Sequence, residues 1–194
     1  RAASDLYGSS VAISGDKVAI GAPDDVFSPF AAGQGPGSVY VYHRSGTSWF
    51  FDGKITASVP ENNSDFGDSV ALSADGNTAI VGASNDDVGS NGNQGSATVF
   101  VRTGTTWTAQ GSLVSTAAAA NDRFGKSVAL SADGNTAIVS APGDDVGTSV
   151  DQGSVTIFTR TGNAWTTQQQ ISTGLAGDGF GWSTALSADG NTAI

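Results

Sequence analysis

Three pairs of adjacent carboxylates recur along the chain: Asp24-Asp25, Asp86-Asp87 and Asp144-Asp145. The loops that follow the second and third pairs also hold Asn91, Asn93 and Asp151. Neighbouring carboxylates with amide oxygens nearby are the donor set a hard cation such as calcium takes. The same residues also build turns, because Asp accepts hydrogen bonds from its own backbone, and they keep loops soluble. Turn building is the preferred reading, with calcium the alternative and no cofactor assigned.

Other groups carry weaker chemistry. "G-x-S-x-A" recurs at 8–12, 67–71, 125–129 and 181–185. It lies one residue from a nucleophile elbow, which needs a strand-to-helix turn and a histidine partner. The chain has one histidine, His43, whose counterparts in the next two repeats are Val101 and Thr159. A position that accepts an apolar residue and a hydroxyl is not that of a catalytic base, so no catalytic residue is assigned. Trp49, Trp107 and Trp165 offer faces for stacking on sugars, but a tryptophan at one recurring position is better read as packing between layers. Trp182 stands where other repeats have Ser9, Asp68 and Lys126, and is expected at the surface. "S-x-D-G-N-T" lacks the extra residue and closing Trp of an Asp-box turn. Asn62-Asn63-Ser64 is an N-glycosylation sequon, meaningful in a eukaryotic secreted protein. "TGTTWT" and "TGNAWTT" offer hydroxyls for O-linked sugar, although Thr is also a good strand residue.

The elements that position these groups follow from composition and repetition. Gly makes up 27 of 194 residues and charged residues only 13%, a balance that favours short strands and tight turns over long helices. The net charge of −10 repels a phosphate backbone, which argues against nucleic acid as a partner. No apolar run approaches the roughly 18 residues that span a membrane, so no membrane insertion is expected of this segment. There is no cysteine, hence no disulfide framework; a secreted protein that needs no cross-links remains compatible with that.

The aromatic-glycine pairs Tyr7-Gly8, Phe66-Gly67, Phe124-Gly125 and Phe180-Gly181 stand 59, 58 and 56 residues apart. Trp49, Trp107 and Trp165 keep a spacing of 58, as do Arg44, Arg102 and Arg160. Each period holds four strand candidates; in the second they are 69–73, 78–83, 96–102 and 107–113. The third strands, "SVYVYHR", "SATVFVR" and "SVTIFTR", carry apolar residues on both faces, so each sheet is expected to lie between two neighbours. Four-stranded antiparallel sheets stacked face to face at this period make a β-propeller; a β-solenoid, the competing array, would use shorter coils and parallel strands. The phrase "LSADGNTAI", written three times, is the hairpin between the first two strands, and repeat one shortens its turn to Gly15-Asp16.

"YGSSVAISGDKVAIGAPDD", "FGDSVALSADGNTAIVGASNDD" and "FGKSVALSADGNTAIVSAPGDD" resemble the FG-GAP repeat, the blade unit of integrin α-subunit-like propellers, in its bacterial and algal variety. The resemblance covers the whole chain. It implies an extracellular or cell-surface propeller used for adhesion or structural assembly, with other proteins or surface glycans as partners. Integrin-type blades often carry a D-x-D-x-D-G-x-x-D calcium loop between the first two strands; here that place holds "SADGNTA" with one carboxylate, which cannot wrap a six- to eight-coordinate ion.

The expected fold is therefore all-β, a propeller with blades at 7–65, 66–123 and 124–179 and an incomplete fourth at 180–194. About three and a half blades do not close a ring, so the chain reads as a segment of a longer polypeptide. Its last strand would offer an open edge for self-assembly. A non-enzymatic adhesion or structural module leads. A calcium-dependent or glycan-binding module and the accessory propeller of a larger secreted hydrolase are the alternatives.

Overall fold

The computed structural model describes residues 5–27, 29, 35–115 and 117–194; positions 28 and 30–34 of the first blade's expected span lie outside the described residues. It contains three four-stranded antiparallel sheets, and the fold is a β-propeller with a partial fourth blade. Blade one is β1 (Val11–Ser14), β2 (Lys17–Ala22), β3 (Ser38–Ser45) and β4 (Ser48–Ile55). Blade two is β5 (Phe66–Leu72), β6 (Thr78–Ala83), β7 (Ser96–Thr103) and β8 (Thr106–Leu113). Blade three is β9 (Val128–Leu130), β10 (Thr136–Ala141), β11 (Ser154–Thr161) and β12 (Ala164–Ile171). In residues 180–194 a single bridge, Leu186 to Ala193, marks the hairpin.

β5 begins three residues before the sequence expectation, because Phe66 pairs with Ala83 and the register then slips to Ser69 opposite Gly82. Gly67 sits in that bulge at φ +97°, a conformation glycine alone adopts without strain. A parallel bridge from Gly37 to Phe66, repeated from Gly95 to Phe124, stitches each blade to the next.

The core lies in the seams. Between blades one and two, Val39, Val41 and Ile55 meet Phe66, Val70 and Phe100, with Trp107 packed against them. Between blades two and three, Ala97, Val99 and Leu113 meet Phe124, Val128 and Phe158, with Trp165 alongside. The Phe66–Phe100 and Phe124–Phe158 pairs are both T-shaped, at 5.9 and 6.1 Å. Each fully buried side chain of this size contributes about 2 kcal/mol, so the seams, rather than the single sheets, carry the stability. β6 is buried along its whole length, as a strand covered on both faces should be.

The "ADGN" turns form one end of the propeller. Asp75 accepts from Ser73 Oγ at 2.6 Å and from the Asn77 amide at 2.9 Å, and Asp133 and Asp189 repeat the arrangement. Successive turns are linked: the Ala74 N–H donates to Ala132 O and the Ala132 N–H to Ala188 O, both at 2.8 Å. Each of these carboxylates is thus engaged inside its own turn, and its pKa is lowered first by the serine hydroxyl.

Candidate functional site

The acidic pairs sit at the opposite end, on the loops between the second and third strands. Sequence spacing aligns Asp24-Asp25 with Asp86-Asp87 and Asp144-Asp145; the structure offsets blade one by one residue. The amides of Asp25, Asp86 and Asp144 donate to Ala22, Ala83 and Ala141 respectively, and their carboxylates face Ser38, Ser96 and Ser154, the first residue of each third strand. Asp24 therefore corresponds to Asn85 and Gly143. The slip arises at the end of the second strand: Pro23 alone separates Ala22 from Asp24, whereas Ser84-Asn85 and Pro142-Gly143 separate Ala83 from Asp86 and Ala141 from Asp144.

The second member of each later pair orders its own loop. Asp87 Oδ1 accepts the Asn93 N–H at 2.7 Å, and Asp145 Oδ1 accepts the Asp151 N–H at 2.8 Å. Asn93 and Asp151 both hold positive φ there, which Asn and Asp tolerate. Among the described residues no three His, Asp or Glu side chains come together as a metal site. The weak calcium candidates thus separate: Asp25, Asp86 and Asp144 bond strand serines, Asp87 and Asp145 accept the loop amides of Asn93 and Asp151, and Asp24 falls in neither set.

The three serine-bound carboxylates differ in what else reaches them. In blade one the Lys54 ammonium lies 2.7 Å from Asp25 Oδ2 and the Tyr40 hydroxyl donates to it at 2.9 Å. Burial pushes the Asp25 pKa up, but Lys54, Ser38 and Tyr40 more than offset that and hold it below the usual carboxylate range. In blade three Gln170 occupies the Lys54 position and donates Nε2 to Asp144 at 2.8 Å; burial nevertheless keeps that pKa raised. In blade two the same position is Ser112, paired with Thr98 where blade one pairs Lys54 with Tyr40. Ser96 Oγ donates to Asp86 at 2.5 Å. Burial, aided by Asp87, raises the Asp86 pKa against that bond. Beside it opens a cleft of about 380 Å³, walled by Ala57, Ser58 and Val59 of the inter-blade linker and by Thr98 and Ser112.

Two clusters escape sequence reading. Asp52 on β4 gathers Lys17 Nζ at 3.0 Å, Arg102 Nη2 of blade two at 2.8 Å and His43 Nδ1 at 3.3 Å. Lys17 and Arg102 hold its pKa down despite its burial. Lys17, His43 and Asp52 replace Thr78, Val101 and Gln110 of blade two, Asp52 and Gln110 each standing at the bulge of its ladder; a departure of three corresponding positions toward ionisable side chains was the available signal. His43 stacks on the Phe50 ring at 5.7 Å. The other cluster precedes the aromatic-glycine pairs. Burial, with Asp68 and Asp24 nearby, raises Asp65 to about 6; burial, with Asp144 and Asp145 nearby, raises Asp122 to about 6. Asp122 Oδ2 accepts the Ala119 amide at 2.6 Å and so ties down the preceding linker.

The remaining sequence candidates fall as follows. Ser10 and Ser69, of the "G-x-S-x-A" motif, donate to Gly67 O and Gly125 O of the next blade at 2.8 Å. Gly8 and Gly181, like Gly67 and Gly125, take φ between +89° and +97°. Tyr7 packs edge-on against Tyr40, and the Phe180 N–H donates to Gln152 O. Trp107 and Trp165 lie in seams, whereas Trp49 lies on blade one's outer side, 41% exposed. Trp182 is 64% exposed, with the Lys126 ammonium over its ring. Asn62 is exposed, while Ser64 of its sequon is buried and donates to Pro36 O at 2.9 Å.

Comparison with known proteins agrees with this geometry. The family model described as FG-GAP repeat matches residues 1–42, 49–100 and 107–158. No curated protein matches the chain. Among solved structures, the crystal structure of the Saccharomyces cerevisiae Sqt1 superposes with a TM-score of 0.54 at 10% identity. That match covers 89% of this chain and 37% of that one, a likeness of fold alone.

Proposed function

The chain belongs to the FG-GAP repeat family, and from that membership we propose that it serves as a non-enzymatic propeller module, extracellular or on a cell surface, for adhesion or structural assembly. One observation carries the reading. The loops after each second strand are bonded to the next inter-blade linker, by Asn121 N–H to Gly92 O and Arg123 N–H to Asn93 O, and again by Gly177 N–H to Val150 O and Gly179 N–H to Asp151 O. These loops form one braced end rather than independent tips. A braced surface loses little entropy when it docks a partner, which suits recognition of a protein or a surface glycan. The polar groups that suggest catalysis in the sequence are engaged in turns and seams instead.

Beads coated with the full chain test this reading. Adherence to one another or to extracellular matrix that disappears when Asn93 and Asp151 are both replaced by Pro, with blade stability retained, is the expected result. Beads that never adhere to either surface overturn it.

A further inference from the structure

We propose that the cleft beside Asp86 is a binding site for a primary alkylammonium group, the chemistry of a lysine side chain or of a free amine. The three blades make the case as an internal series. A carboxylate at the same place, bonded to the first serine of the third strand, recurs as Asp25, Asp86 and Asp144, buried in blades one and three and half-buried in blade two. In blade one the Lys54 ammonium joins Ser38 on the same oxygen, Oδ2, at 2.7 Å, and also lies over the Phe27 and Tyr40 rings at 4.7 and 5.3 Å. In blade three the Gln170 amide donates to the carboxylate instead. In blade two the corresponding Ser112 is too short to reach, Thr98 replaces the bulky Tyr40, and the volume so released is the cleft of about 380 Å³. Among the described residues no cation pairs with Asp86.

A half-buried carboxylate without a counter-charge has lost part of its hydration, and a charge-assisted bond to an incoming ammonium offsets that loss. The cleft is lined by Phe66, Val59 and Ala57 as well as by Asp86, so it offers apolar walls to an alkyl stem and a carboxylate to its head, as blade one does for Lys54. One carboxylate with hydroxyl neighbours falls short of the six to eight oxygens that calcium takes, and the charge favours a monovalent organic cation.

The test uses the full chain, isotope-labelled, titrated with n-butylammonium and, separately, with n-butanol and calcium chloride. Backbone signals of Asp86, Ser96 and Thr98 are expected to shift with butylammonium alone. Asp86→Asn is expected to weaken binding about tenfold, the loss of one charge-assisted hydrogen bond. Ser112→Lys rebuilds the blade-one arrangement and is expected to abolish binding while leaving the fold intact. Nα-acetyl-lysine methylamide separates the sources: tighter binding than butylammonium points to a lysine on a protein partner, and weaker binding to a free amine. The lysine source rests on the adhesion reading above; the butylammonium arm does not, so the two fail separately. Absence of shifts near Asp86, equal binding to the Asp86→Asn and Ser112→Lys variants, or shifts caused by calcium in place of the amine would each overturn the proposal.

Discussion

Blades one and two place their strands alike and fill equivalent positions with opposite chemistry. Blade one carries Lys17, His43, Asp52 and Lys54 where blade two carries Thr78, Val101, Gln110 and Ser112. The consequence is visible in the two seams. Asp52 ties blade one to blade two through the Arg102 guanidinium at 2.8 Å. One seam along, Gln110 receives Arg160 Nη1 at 3.2 Å and Trp165 Nε1 at 3.3 Å as neutral-acceptor hydrogen bonds. The repeat therefore specifies which positions converge, while the residue type at each decides whether the seam is locked by charge, joined by an amide or left open.

The sharpest way to break this comparison is to remove the acceptor from each seam. Asp52 is nearly buried, at 5% exposure, and its loss leaves Lys17 and Arg102 facing each other without a counter-charge. Breaking a buried pair of this kind costs about 3 kcal/mol, so Asp52→Ala is expected to lower the urea midpoint strongly. Gln110→Ala removes only neutral hydrogen bonds and should cost about 1 kcal/mol. Equal losses would show that the charge in the first seam adds nothing beyond its hydrogen bonds.

Lys54 comes next. Lys54→Ala strips Asp25 of its counter-charge in blade one and imitates what Ser112 does in blade two, at an expected cost of about 2 kcal/mol near neutral pH. The folded pKa of Asp25 lies below its unfolded value of 3.8. Its contribution is therefore present above that value and fades as pH falls through the folded pKa. The deficit of the variant should accordingly be full at pH 7 and shrink below pH 3.8, which unfolding curves at the two pH values will read.

The carboxylates before the aromatic-glycine pairs behave in the reverse sense. Asp65 and Asp122 titrate near 6 in the folded chain. The folded state thus binds more protons than the unfolded one between pH 3.8 and 6, and this stabilising contribution is complete below 3.8 and lost as pH rises through 6. Asp122→Asn keeps an oxygen to accept the Ala119 amide and removes the charge. It is expected to raise stability by about 1 to 2 kcal/mol at pH 8 and to leave it unchanged at pH 3.5. A gain of equal size at both would place its origin outside the titration.

Much of this comparison was legible before the fold was known, and some was not. The period, the four strands per blade and the hairpin around "ADGN" follow from alternation and turn residues that act over a few positions. The aromatic-glycine beat marked where each innermost strand starts, but the bulge at Gly67 and the register slip it causes showed only in the strand pairing. The slip of Asp24-Asp25 against the later pairs was hidden because adjacent carboxylates look interchangeable in a sequence; only the bonds to Ser38, Ser96 and Ser154 tell them apart. The Asp52 cluster was invisible for a different reason. It joins β2, β3, β4 and β7, and pairing across a seam is a property of blade stacking that no local pattern encodes.

The smallest expected difference separates two turns at the same end of the propeller. Asp75 is bonded by Ser73, by the Asn77 amide and by Asn77 Nδ2 within its four-residue turn, whereas Asp16 in the two-residue turn of blade one pairs with exposed Arg44 at 2.9 Å. Asp75→Ala leaves backbone and hydroxyl donors that water can reach, so its cost should be about 0.5 to 1 kcal/mol. Asp16→Ala removes an exposed ion pair that salt already screens and should cost less than about 0.5 kcal/mol. Raising the ionic strength separates the causes: the Asp16 effect should vanish while the Asp75 effect persists, since short hydrogen bonds inside a turn are not screened as a surface pair is. If both vanish together, the four-residue turn is held by charge, and the repeated phrase acts as an electrostatic device rather than a geometric one.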